Sequence, residues 1–186
     1  MSFLFRKKKK GKTAEKWFKL GDKEKDLKKK IEYYSKGLEL DPKNADAWFN
    51  KGIALRLLGK CEEAIRCFDK ALEIDPKDAY AWNAKGSVLK YLGRHEEAIR
   101  CYEKALEIDP KDAVAWCTKG EALHNLGRYE EAIRCYDKAL DISPEFEIAK
   151  NNKKLAEEKL KRYYRAKIEQ WKSEGYDISE LEEMLK

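Results

Sequence analysis

The side chains with the widest chemical repertoire in this sequence are two histidines, His95 and His124, and five cysteines. His124 stands three residues after Glu121 and beside Asn125, a spacing that puts a carboxylate and an imidazole on one helix face. A metal centre needs three or four such ligands, and the sequence supplies no others nearby. His95 occupies a position held by Cys61 and Tyr129 in two sister segments, a tolerance that suits packing better than catalysis. The cysteines form no CxxC pair, and Cys67, Cys101 and Cys135 are one position repeated three times. Equivalent positions in stacked helical units lie a helix-packing distance apart, beyond the reach of a disulfide. Reduced, packed thiols and a cytoplasmic location are therefore expected. There is no glycine-rich phosphate loop and no nucleophile motif. The expectation is a protein with no catalytic residues, no metal and no cofactor.

The elements around these residues repeat. ADAWFNKGIALRLLGKCEEAIRCFDKALEIDPKD, from Ala45 to Asp78, recurs almost unchanged 34 residues later from Ala79, and again from Ala113 to Phe146. A fixed period of this length marks a solenoid of supersecondary units. Each unit reads as two helices. The first follows Asn44, Asp78 or Asp112, whose side chains can accept the free N–H groups of a helix start. It ends at Gly59, Gly93 or Gly127. The second runs from the EEAIRC segment to an Asp-Pro or Ser-Pro stop. Glycine inside the first helix, at Gly52, Gly86 and Gly120, costs ~1 kcal/mol each relative to alanine. Close approach of the second helix at Ala64, Ala98 and Ala132 is expected to offset it, with large rings filling the space on either side.

The period divides the chain. Residues 1–12 form a basic leader, 13–44 a shortened, degenerate first unit, and 45–78, 79–112 and 113–146 three full units. Ser143-Pro144 reads as a cap followed by a first-turn proline, so a long capping helix is expected over 144–172. A short helical tail follows at 173–186, where Ser179 and Glu182 form a capping-box pattern. Formal net charge is +6, but Arg6, Lys7, Lys8, Lys9, Lys10 and Lys12 carry that excess; without them basic and acidic residues balance at 35 each. Such a leader reads as a solvated charge run. The alternative is a tether to an anionic membrane surface or to nucleic acid through those six residues, which would make the protein peripheral to a membrane.

W-x3-G-x2-L, a glycine, A-x3-(F/Y)-x2-A and a proline on a 34-residue period resemble the tetratricopeptide repeat family, well over 45–144 and partially over 14–44. The departure is Lys51, Lys85 and Lys119, where the family usually has leucine; a lysine stem can cover apolar surface while its ammonium stays in water. The resemblance implies an all-α solenoid of helical hairpins, wound as a right-handed superhelix and closed by a C-terminal capping helix. It also implies a non-catalytic scaffold whose first helices line a concave groove for a peptide or helix of a partner protein. The groove positions it assigns are Asp46, Phe49, Asn50, Ile53, Arg56 and Leu57 in the first full unit. The next unit supplies Tyr80, Asn83, Ala84, Ser87, Lys90 and Tyr91, and the last Val114, Cys117, Thr118, Glu121, His124 and Asn125. These positions differ most among the copies, as a surface that reads a partner should. One specialisation in the family grips a terminal carboxylate with lysines and asparagines from successive units. Asn50 fits it, but Tyr80 and Ala84 stand where Lys and Arg are required.

Overall fold

A computed structural model describes residues 13–175 and 177. The basic leader, and the expected C-terminal helix apart from its first residues, lie outside the described residues. Those described fold into nine α-helices and no strand. The chain forms two compact units, residues 1–88 and 89–186.

The first unit contains α1 (Ala14–Lys23), α2 (Leu27–Leu40), α3 (Ala45–Leu57), α4 (Cys61–Ile74) and most of α5 (Ala79–Tyr91). α1 pairs with α2, α2 with α3, and α3 with α4. The expected caps form: Asn44 accepts from the Ala47 N–H at 2.8 Å, and Asp78 from Ala81 at 3.0 Å. Gly59 closes the α3–α4 turn at φ +79°, a left-handed conformation that a side chain would strain. The helical glycines do something other than expected. A Cβ on Gly52 would sit 2.7 Å from Phe68, and one on Gly21 would sit 3.0 Å from Tyr34. Glycine thus makes room for an aromatic ring of the second helix, rather than for Ala64 one turn earlier. The first hairpin also has the reverse arrangement, Gly37 of α2 facing Phe18 of α1. The Tyr34 hydroxyl then donates to Asp22 at 2.7 Å, giving a buried phenol its partner.

The second unit takes up the end of α5, then α6 (His95–Ile108), α7 (Ala113–Asn125), α8 (Tyr129–Ile142) and α9 (Glu147–Ser173). α6 pairs with α7, α7 with α8, and α8 with α9. Gly120 lies against Tyr136 as Gly52 does against Phe68. Helix α9 begins at Glu147, not at Pro144. Ser143 is the C-cap of α8, residues 144 and 145 form the turn, and Phe146 holds the N-cap position without a side-chain hydrogen bond. The 34-residue register therefore overrides the Ser-Pro start signal, and α9 enters as the first helix of a further unit. Its Ala149 and Ala156 are fully buried, like Ala115 and Ala122 one period earlier.

The lysines that depart from the family pattern have a specific role. Each stem crosses a tryptophan, with Lys51, Lys85 and Lys119 ammonium groups 5.2–5.7 Å from the Trp48, Trp82 and Trp116 ring centres. Two of them end on an acid of the preceding second helix, Lys85 on Asp69 at 2.6 Å and Lys119 on Glu103 at 2.9 Å. Lys153 of α9 repeats the tie to Asp137 at 2.6 Å. The tryptophans are held in turn by their indole N–H groups, which donate at 3.0 Å to the carbonyls of Pro42, Pro76 and Pro110. Replacing Lys153 with methionine keeps the stem and removes the charge. It is expected to cost about 1 kcal/mol or less, because the pair is only partly buried. A double-mutant cycle with Asp137→Asn in urea unfolding measures the coupling.

Candidate partner-binding faces

In the first unit, the assigned positions separate into exposed and packed groups. Asp46, Arg56 and Leu57 of α3 face solvent, as does Tyr80 of α5, which is 75% exposed. Asn50, Ile53, Asn83 and Ala84 are half-buried. Phe49 is half-buried too, its ring centre 5.8 Å from that of Phe68, so part of its surface belongs to the α3–α4 packing. The Ser87 hydroxyl donates to the Asn83 carbonyl at 3.0 Å, the back-bond that a helical serine makes.

The second unit carries a polar network that pairwise spacing did not reveal. Glu121 of α7 is shared: Lys90 donates to its Oε2, and Asn152 of α9 donates to its Oε1 at 3.0 Å. Both Glu121 carboxylate oxygens are engaged in this network. Among the described residues, no group of three His, Cys, Asp or Glu side chains converges as a ligand set. His124 lies edge-on to Tyr129, ring centres 5.2 Å apart, and its buried Nε2 has no hydrogen-bond partner. Glu121, His124, Asn125, Tyr136, Asn152 and Leu155 line a cavity of about 260 Å³. Tyr91 is 80% exposed and Val114 and Asn125 are exposed, while Thr118 back-bonds to the Val114 carbonyl at 2.9 Å.

Cys117 corrects the assignment. It is 2% exposed and meets no partner in this state. Burial, then the neighbouring Glu121 carboxylate, pushes its thiol up to about 11, against a smaller opposing contribution from a hydrogen bond with Asn152. The position fails because α9 takes the place of a following unit's first helix. By the same token α9 supplies residues absent from the expected set. Asn152 and Leu155 fall one period after Thr118 and Glu121, two of the assigned positions. The register of Lys119 and Lys153 was the signal that could have found them. At the positions that carry Trp116, Gly120 and Leu123 in α7, α9 has Lys150, Lys154 and Glu157, so the residues that seat a second helix in the full units are replaced here by charged ones.

Known proteins place these features. A solved structure of MamA matches with 25% identity and a TM-score of 0.70, over 88% of this chain and 95% of that one. The first TPR of Spaghetti (RPAP3), bound to the HSP90 peptide SRMEEVD, matches with 25% identity and a TM-score of 0.61, over 62% of this chain and 92% of that one. An uncharacterized protein of Methanocaldococcus jannaschii is 55% identical over 42 residues, 23% of this chain, and the match spans about half (49%) of that relative's length. No described helix is long and apolar enough to cross a membrane. Proteins built this way are generally non-catalytic modules for protein interaction. The sequence pattern of the tetratricopeptide repeat matches residues 43–111 and 77–145, and with the helical hairpins seen here it shows that the chain belongs to the tetratricopeptide repeat family.

Proposed function

We propose that the protein is an adaptor whose first-helix faces hold a peptide or short helix of a partner protein. The observation that carries this reading is the pair Tyr80 and Tyr91, 75% and 80% exposed. Two large amphipathic rings exposed at opposite ends of α5 are a poor use of apolar surface unless something covers them, and tyrosine is enriched at binding hot spots. The peptide-bound relative supports a peptide as the ligand class. Its acidic terminal motif is not the expected ligand here, because Tyr80 and Ala84 stand where a carboxylate clamp needs cations. Lys90, already neutralised by Glu121, does not restore one.

Panning a displayed peptide library against the protein is expected to enrich sequences with an apolar or aromatic anchor. Tyr80→Ala and Tyr91→Ala should each weaken the enriched peptides about tenfold, or ~1.4 kcal/mol. Because both rings are exposed, the melting temperature should hold. Peptides that bind both variants as well as the parent would remove the first-helix faces from the mechanism. Tight binding of SRMEEVD would replace the proposed chemistry with a carboxylate clamp.

A further inference from the structure

The cavity between α7, α8 and α9 contains a polar group that the surrounding helices leave unpaired. Tyr136 lines it, is 1% exposed, and puts a phenol where the first full unit has Phe68. A buried hydroxyl ordinarily has a partner. The first hairpin provides one: Tyr34 faces Gly21, and its hydroxyl donates to Asp22, the residue after that glycine. Tyr136 faces Gly120, and Glu121 follows that glycine in the same way. Here, however, the carboxylate acts on the phenol through its charge alone, with no hydrogen bond between them. Lys90 and Asn152 engage the Glu121 oxygens instead. Among the described residues, none pairs with the Tyr136 hydroxyl. A carboxylate has about four lone-pair positions, so Glu121 keeps acceptor capacity after those two bonds. Its side chain remains 30% exposed.

The cavity thus offers a donor, the Tyr136 hydroxyl, and an acceptor, the Glu121 carboxylate. We propose that it takes the side-chain carboxamide of a glutamine in a partner peptide, whose NH2 donates to Glu121 and whose carbonyl accepts from Tyr136. The source of the glutamine rests on the adaptor reading; the chemistry of the cavity does not. A primary amide is the side chain that carries a donor and an acceptor side by side. A carboxylate would bring like charge to Glu121 and offer it no proton. An ammonium would share Glu121 with the Lys90 ammonium already bound there, again like charge beside like. Burial, the largest influence on the Tyr136 phenol, raises its pKa, so the hydroxyl stays a donor at neutral pH. The size agrees as well. A volume of about 260 Å³ is several times the ~30 Å³ share of one water and falls below the ~300–1,000 Å³ of sites for drug-sized ligands, which suits one side chain. Because Tyr136 is buried, the longer arm of glutamine serves better than that of asparagine. Leu155 in the lining is 45% exposed, and Ile148, two turns earlier on the same helix face, is 57% exposed, so apolar neighbours of the glutamine would also find contacts.

The test titrates the full, isotope-labelled chain with N-acetylglutamine N-methylamide and follows it by NMR. The backbone amide signals of Glu121 and Asn125 and the side-chain NH2 signal of Asn152 are expected to shift and saturate, with a dissociation constant on the order of millimolar. The matching capped glutamate and capped lysine should bind at least about tenfold more weakly, because each leaves a buried polar group unpaired. Tyr136→Phe should weaken the capped glutamine about tenfold while the melting temperature holds, since Phe68 fills the same position in a sister unit and the hydroxyl removed has no partner in the fold. Absence of saturable shifts, equal binding of the glutamate or lysine analogue, or undiminished binding by Tyr136→Phe overturns the proposal. So does a lowered melting temperature of Tyr136→Phe, which would reveal a partner within the protein. Free L-glutamine binding more tightly than the capped form overturns the peptide source in favour of a free amino acid. Failure of the titration while panned peptides still bind sinks the cavity alone and leaves the first-helix faces standing. Saturable, Tyr136-dependent shifts in a protein that enriches no peptide support the amide site and count against the adaptor reading.

Discussion

Gly120→Ala is expected to destabilise the protein by roughly 1–3 kcal/mol, the usual cost of overpacking. Intrinsic preference points the other way, since alanine is the better helix former by ~1 kcal/mol. Packing wins because the added methyl carbon would lie 2.6 Å from Cε1 and 2.9 Å from Cδ1 of Tyr136, where carbon pairs settle at about 3.5–4.0 Å. The ring is 1% exposed and cannot swing into solvent to make room. Urea unfolding followed by circular dichroism reads the effect as a lower midpoint at constant slope. Tyr136→Leu should remove most of the additional cost, because the atoms that clash belong to the ring. A Gly120→Ala variant as stable as the parent would dispose of this packing account. So would strict additivity with Tyr136→Leu, since residues in direct contact couple. Gly52 and Phe68 make the same pair in the first unit, with 2.7 Å in place of 2.6 Å.

Alkaline titration should produce a second large effect. Burial holds the Cys117 and Cys135 thiols near 11, against about 9 for an accessible thiol, and raises the Tyr136 phenol further. Between those values the folded chain binds more protons than the unfolded one. Stability from these groups is therefore fully present below pH 9 and is lost as pH rises through 11. The same shift lowers the reactive thiolate fraction at pH 8 on the order of 100-fold. Exclusion of the reagent by burial slows the reaction further. A thiol-reactive chromophore should find no fast-reacting cysteine in the native protein and five in denaturant. A stoichiometric fast reaction at pH 8, or a melting temperature unchanged between pH 8 and 11, would contradict this environment.

The hairpin array was legible because its information is redundant. Three copies of Trp, Gly, Ala and an aromatic residue on a 34-residue period overdetermine the helices, and the caps at Asn44, Asp78 and Asp112 mark their starts. The partner of each helical glycine was not legible. Ala64 and Phe68 are four residues apart and share a helix face, so spacing cannot say which of them the glycine clears. The start of α9 was misplaced for a related reason. Ser143-Pro144 has the chemistry of a cap, Phe146 does not, and the packing of Ala149, Ala156 and Lys153 against α8 decides the register. Among the candidate site residues, the exposure of Tyr80 and Tyr91 agrees with the groove positions that the family resemblance implied. Burial of Cys117 did not, because it depends on a helix whose sequence had shed the family's tryptophan and glycine.

The lysine-to-acid tie recurs with one geometry at Lys85–Asp69, Lys119–Glu103 and Lys153–Asp137. It gives the three junctions that follow the first full unit a plug of the same kind. A duplicated 34-residue segment would find its socket already made on both sides, and the chain could lengthen without inventing an interface. Glu157, standing where a unit's leucine would be, marks where that growth stops. The number of units is thus a quantity that gene duplication can change freely, while the closing helix must be carried along as the terminator.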